Sequence, residues 1–272
     1  MPDADLNLAV PAVFFGAVGT AGQRCTSTRR LYLHSSIVDK FLSRLDSLYQ
    51  SVRPGDPLDR ATLLGPLHTR AAVGIYTDAI DHLKRTGAEI LTGGAPYRDL
   101  ASPLDKGNFV MPTIAIPQEV NVKARAWSTE TFAPVLNVGV FDELEQAIEW
   151  NNGVPQGLSS SLWTRDIRNV GKWIGPAGSD AGIVNVNVGT SGAEIGAAFG
   201  GNKVSVSSFP YSMFSLGVIL TGASSNTEHG LGSRVRRRCV EAVRALERCD
   251  AQLLGRGTSR ARRAVLERGV TT

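Results

Sequence analysis

From Arg30 onward, short β-rich runs alternate with stretches whose apolar residues recur at helical spacing, and this alternation limits the fold more than any other feature. Strands separated by a helix's worth of chain cannot be joined as hairpins, so they pair in parallel or mixed fashion with helices packed outside. "RLYLH" (Arg30 to His34) reads as the first strand. Ser36 follows as a helix N-cap with Asp39 three residues on, then Ile37, Phe41, Leu42, Leu45, Leu48 and Tyr49 at helical spacing. This helix is expected to bury a Phe41/Leu45/Leu48 stripe. A second helix carries Ala72, Val73, Tyr76, Ala79, Ile80 and Leu83 on one face and leads to the strand "AEILTGG". "NFVMPTIAI", "PVLNVGVF", "GLSSSLWT" and "AGIVNVNV" read as further strands, with helices at about Glu143 to Asn151 and Asp166 to Trp173 between them. The expected fold class is therefore α/β.

The pattern stops at Lys203. Residues 1 to 203 carry 18 basic and 20 acidic side chains, residues 204 to 272 carry 11 and 5, and every basic residue of the second part is arginine. We expect one α/β domain over 1–203 and an irregular Arg-rich tail over 204–272, with at most one amphipathic helix at Arg234 to Leu254. The tail makes a poor nucleic-acid arm, because its arginines alternate with Glu241, Glu247, Asp250 and Glu267 and no aromatic follows Phe214. With 42% hydrophobic and 20% charged residues, no apolar run long enough to span a bilayer, and a start lacking signal-peptide layout, the expectation is a cytoplasmic protein without membrane partners. Cys25, Cys239 and Cys249 show no CxxC or Cys/His spacing, so no zinc site and no disulfide framework is expected.

If one cysteine does chemistry, it is Cys25 in "GTAGQRCTSTRR". A thiol attacks as thiolate, which positive neighbours favour, and Arg24 is adjacent. Gly19 and Gly22 permit a close backbone approach that would aim N–H groups at an oxyanion. On these residues alone a packed, inert thiol is the commoner fate. In "STETFAPV", Glu130 and Phe132 fall on one side of an extended segment, placed to bond a ribose hydroxyl and flank a flat ring. A solvated glutamate and a core phenylalanine fit that spacing equally well. "GIVNVNVGTSGAEIGAAFGG" is a strand entering a small-residue loop, the kind that offers backbone N–H groups to a carboxylate.

Taken together, these segments resemble the aldehyde dehydrogenase superfamily. "GTAGQRCTSTRRLYLH" is similar to its cysteine signature, "ETFAPV" to its Glu-x-Phe-x-Pro motif, and "GLSSSLWT" with "GIVNVN" to late strands of its catalytic domain. "GPLHTR", "NNGVPQGLSS", "GPAGSDAGIVNVN" and "TSGAEIGAAFGG" are similar to the antiquitin type, the α-aminoadipic semialdehyde dehydrogenases. The resemblance runs from about Asp3 to Lys203 and implies that family's catalytic domain, a mixed, mostly parallel sheet flanked by helices. It also implies a reaction: Cys25 attacks an aldehyde, the thiohemiacetal loses hydride to NAD, and water releases the acid from the thioester. Glu130 then matches the ligand of the nicotinamide ribose and Phe132 the contact near the nicotinamide ring. Arg24, with the backbone at Gly192 and Ala193, matches the positions that hold the far carboxylate of a semialdehyde.

The family's Rossmann-like domain, its general-base glutamate and its oxyanion-hole asparagine have no counterpart in this sequence. The resemblance therefore implies a chain inactive by itself. The alternative expectation is a non-catalytic truncated form, or a partner that associates with full-length subunits or with copies of itself.

Overall fold

The computed structural model describes residues 1–207 apart from 195 and 198; the Arg-rich tail and the helix expected at 234–254 lie outside the described residues. Four strands form one sheet in the order β1-β4-β3-β2, with β1 Arg30–His34, β2 Glu89–Thr92, β3 Thr113–Ile116 and β4 Val135–Phe141. β4 pairs in parallel with both β1 and β3, while β2 runs antiparallel at the edge. β5 Gln156–Gly157 pairs antiparallel with β8 Asn202–Lys203, and β6 Ser159–Leu162 pairs in parallel with β7 Ile183–Val186. The mixed, mostly parallel arrangement is the one expected from strands interleaved with helices.

Seven helices are described: α1 Leu6–Val18, α2 Val38–Gln50, α3 Arg70–Arg85, α4 Arg125–Ser128, α5 Leu144–Asn152, α6 Ile167–Ile174 and α7 Val204–Ser207. Their amphipathic faces make the core. α2 buries Phe41, Leu45 and Tyr49, and α3 buries Ala72, Tyr76, Ile80 and Leu83 against the same cluster as Leu136 and Val138 of β4. Two local expectations are corrected. Leu48 is only half-buried and Tyr49 takes an innermost place, because the buried row keeps to four-residue steps through Phe41, Leu45 and Tyr49. Ser36 does not cap α2; it sits in a short 3-10 turn over Ser35–Ile37, where its own N–H donates to His34 Nδ1 at 3.1 Å. Asp39 stays in the first turn of α2, where its charge favours the helix N-terminus.

α1 was not foreshadowed by periodicity, since it is apolar on most faces and carries Pro11 inside. Its N-cap is Asp5, whose carboxylate accepts from the Asn7 N–H at 2.9 Å. Just ahead of it, Asp3 accepts from Thr164 Oγ1 at 2.9 Å, the Arg165 N–H at 2.6 Å and the Asp166 N–H at 2.9 Å. These bonds clamp the entry to α1 onto the turn between β6 and α6. Partial burial pushes the Asp3 carboxyl upward, but these bonds together outweigh it and hold the group below the usual carboxylate range. Its stabilisation is thus complete above the unfolded-state value of about 3.9 and is lost as pH falls through the lower folded-state value. Asp3→Asn is expected to lose about 1–3 kcal/mol in urea unfolding near pH 7. Its stability should also fall less steeply than the wild type's as the pH is taken below 4; identical acid profiles would contradict the clamp.

Candidate functional site

Parallel pairing of β1 with β4, in the register Arg30↔Asn137 to His34↔Phe141, puts the chain entering both strands at one end of the sheet. The loop entering β1 carries Cys25, and the loop entering β4 carries Glu130 and Phe132. The two meet backbone to backbone. Thr20, Ala21 and Gly22 are three successive residues with φ of 52°, 54° and 67°, a left-handed run that folds the chain tightly after α1. A Cβ on Gly22 would lie 2.4 Å from the Ala133 carbonyl oxygen and 2.7 Å from Pro134 N, so only glycine fits there.

Cys25 stands exposed on the next turn, which is closed by the Ser27 N–H donating to the Arg24 carbonyl at 3.2 Å and the Arg24 N–H donating to Ser27 Oγ at 3.1 Å. Three contacts fix this turn. The Thr28 N–H donates to the Gly16 carbonyl of α1 at 2.9 Å. The "GPLHTR" segment reaches Gln23, whose Oε1 accepts from the His68 N–H at 3.0 Å. The loop after β7 completes the set: Thr190 Oγ1 donates to the Thr26 carbonyl at 2.9 Å and lies 2.7 Å from Thr28 Oγ1, and Ser191 Oγ donates to the same carbonyl at 3.3 Å.

Cys25, Glu130 and Phe132 line one cleft of about 1220 Å³, together with Thr28, Thr190 and the β6 strand. The structure thus brings the thiol and both residues assigned to the cofactor to one site. Arg24, Gly192 and Ala193 do not line that cleft. The Arg24 guanidinium lies over the Phe15 ring, 4.6 Å from its centroid. The Gly192 N–H donates to the Gly189 carbonyl at 2.9 Å, so it is engaged within its own turn. "NNGVPQGLSS" serves structure: Asn152 Nδ2 donates to the Gly178 carbonyl at 2.8 Å and Gln156 Nε2 to the Ser128 carbonyl at 2.7 Å.

One residue of the site was overlooked in the sequence. Arg29, which reads there as the approach to a strand, is buried and forms an ion pair from Nε to Glu130 Oε1 at 2.9 Å. Its Nη2 donates to the Arg24 carbonyl at 3.1 Å, its Nη1 to the Gly22 carbonyl at 3.4 Å, and its guanidinium lies 4.5 Å from the Phe132 ring centroid. Burial pulls its pKa below the ordinary arginine value, against the opposing pull of the Glu130 charge and hydrogen bond and of Cys25. Even so, the guanidinium stays charged.

As a fit for NAD, these residues suit the nicotinamide end: Arg29 engages Oε1 of Glu130, leaving the second carboxylate oxygen to accept from a ribose hydroxyl, and the Phe132 ring is 40% exposed at the cleft. Gly22→Ala is expected to force the two entry loops apart and destabilise the protein by about 1–3 kcal/mol. Urea unfolding checks this, and a variant within experimental error of wild type would show that the loops are not in contact.

Comparison with known proteins identifies the family. Residues 1–210 match the family model described as "Aldehyde dehydrogenase family". The chain is 53% identical over 203 residues to aldehyde dehydrogenase family 7 member A1 of Pisum sativum, covering 75% of this chain and 38% of that protein. It is 50% identical over 201 residues to the alpha-aminoadipic semialdehyde dehydrogenase of Mus musculus, covering 74% and 36%. Betaine aldehyde dehydrogenase from Staphylococcus aureus, solved in complex with NAD+, superposes with a TM-score of 0.68 at 28% identity, over 75% of this chain and 39% of that one. The chain spans well under half the length of these relatives. The family model over residues 1–210 and the identity to these relatives decide the grouping: the chain belongs to the aldehyde dehydrogenase family.

Proposed function

We propose that residues 1–207 furnish the cysteine half of an NAD-dependent aldehyde dehydrogenase site, with Cys25 as nucleophile. The observation that carries this reading is the meeting of an exposed thiol with Glu130 and Phe132 on one cleft, at the end of the sheet where β1 and β4 begin. Cys25 sulfur bonds to the carbonyl carbon as the carbonyl π pair moves to oxygen. NAD, when bound against Glu130 and Phe132, supplies the two-electron acceptor for the aldehyde C–H. The acyl group left on sulfur is then released as water attacks its carbon and the C–S bond breaks, returning the thiol and giving the acid.

The proposed substrate is α-aminoadipic semialdehyde. Arg24, next to Cys25 and only part-buried, supplies a fork suited to a carboxylate, and the loop at Gly192 and Ala193 supplies the opposite side. Because the Gly192 N–H is engaged with Gly189, Ala193 is the donor this arrangement favours. In this reading the chain alone does not turn over, since the described residues hold the nucleophile and the nicotinamide contacts without the glycine-rich strand-to-helix turn that binds a pyrophosphate. Its partners are a small aldehyde and further subunits, either copies of itself or full-length relatives, in the cytoplasm. Among the described residues, no helix is long and apolar enough to cross a membrane.

Protection of Cys25 from iodoacetamide, followed by peptide mass spectrometry, tests the assignment. α-Aminoadipic semialdehyde should protect Cys25 at concentrations about 10-fold or more below those of hexanal, the advantage expected of a charge-assisted carboxylate bond, and Arg24→Leu should abolish the difference. Equal protection by both aldehydes would remove the carboxylate assignment. Steady NADH formation by the purified chain would contradict its proposed inactivity.

A further inference from the structure

We propose that Arg29 is the positioning residue of this site: one buried guanidinium ties the turn that carries Cys25 to the segment that carries Glu130 and Phe132, so that nucleophile and cofactor contacts are set as a unit. This deepens the reading of Cys25, Glu130 and Phe132 given above and rests on it.

A guanidinium offers five N–H donors in a planar fork and two faces. At Arg29 the fork is divided between the two segments. Nε holds the Glu130 carboxylate at 2.9 Å, while Nη2 and Nη1 hold the Arg24 and Gly22 carbonyls, at 3.1 and 3.4 Å, in the turn just before Cys25. The face carries the Phe132 ring at 4.5 Å. The side chain is only 8% exposed, whereas Glu130 is 30% exposed, so the cation is the buried member and the carboxylate reaches outward toward the cleft.

A separate backbone observation points the same way. Phe132 has φ of 46°, the left-handed region that bulky residues avoid. Neighbouring structure must hold it there, and the guanidinium beneath its ring is such a neighbour. A charge pair buried only to stabilise a fold can be replaced by apolar groups with little loss. Here the pair bridges two loops whose side chains face the same cleft, and its two carbonyl bonds fall on residues 22 and 24, immediately before the thiol. Arg24, although next to Cys25 in sequence, turns its guanidinium to the Phe15 ring.

The consequence is energetic coupling between Glu130 and Cys25, two residues with no hydrogen bond to each other, transmitted through Arg29. The rate of Cys25 alkylation by iodoacetamide at fixed pH, read on the Cys25 peptide so that Cys239 and Cys249 do not interfere, measures it in the full chain. Glu130→Gln is expected to change that rate by at least about threefold, the size of coupling found within a shared network. In an Arg29→Met background the same Glu130→Gln change should have no further effect. Arg29→Lys keeps the charge but cannot span a carboxylate, two carbonyls and a ring, so it should sever the link as Arg29→Met does. The lysine variant also carries the test if Arg29→Met does not fold, as judged by circular dichroism.

Multiplicative, independent effects of Arg29 and Glu130 substitutions would overturn the proposal, as would a Cys25 rate unmoved by Glu130→Gln. Coupling retained in Arg29→Lys would reduce the role to charge alone and overturn positioning by the fork. The nucleophile reading fails separately, if wild-type Cys25 reacts no faster in the folded chain than in urea; the ratios among variants still decide the Arg29 link.

Discussion

The parallel pairing of β1 with β4 is the constraint on which the rest depends. Parallel neighbours enter a sheet from the same end, so two loops more than a hundred residues apart in sequence are delivered side by side. The Asn137 N–H donating to the Arg29 carbonyl at 2.9 Å continues the ladder one residue beyond β1 and fixes where the Arg29 side chain departs. From there the guanidinium needs no long reach to join Glu130. The left-handed run at Thr20 to Gly22 and the backbone contact at Ala133 let the loops close on each other, and the Thr190 and Thr28 hydroxyls fasten the third loop over the same turn.

This construction gives the two arginines that flank the cysteine turn, Arg24 and Arg29, different partners. Arg24 lies in the cysteine turn and directs its charge over Phe15. Arg29 directs its charge inward, where burial would make an unpaired cation costly and where Glu130 offsets that cost. The same carboxylate is thereby held in place with one oxygen left for a ligand.

Much of the fold was legible because its elements bury one face. α2, α3, α5 and α6 show a helical period and β1 and β6 alternate, while β4 is legible instead as a continuous apolar run buried on both faces. α1 did not, since an apolar helix with an internal proline has no polar face to set a period. The His34 cap on the turn before α2 was equally hidden, because a ring nitrogen accepting an N–H leaves no sequence signature. At the site, Cys25, Glu130 and Phe132 were legible as motif residues. Arg29 was not, because its partners lie at 22, 24, 130 and 132 and only tertiary structure brings them together. The turn in which the Gly192 N–H donates to the Gly189 carbonyl was equally hidden in the sequence.

The account stands on three loops sharing one place, and paramagnetic broadening from a nitroxide on Cys25 tests this directly, in a Cys239→Ser/Cys249→Ser background. Strong broadening of the backbone amide signals of residues 130–133 and 190–192 is the predicted result. Sharp, unshifted signals from 130–133 would mean that the β4 entry loop does not lie beside the thiol, and would contradict the account.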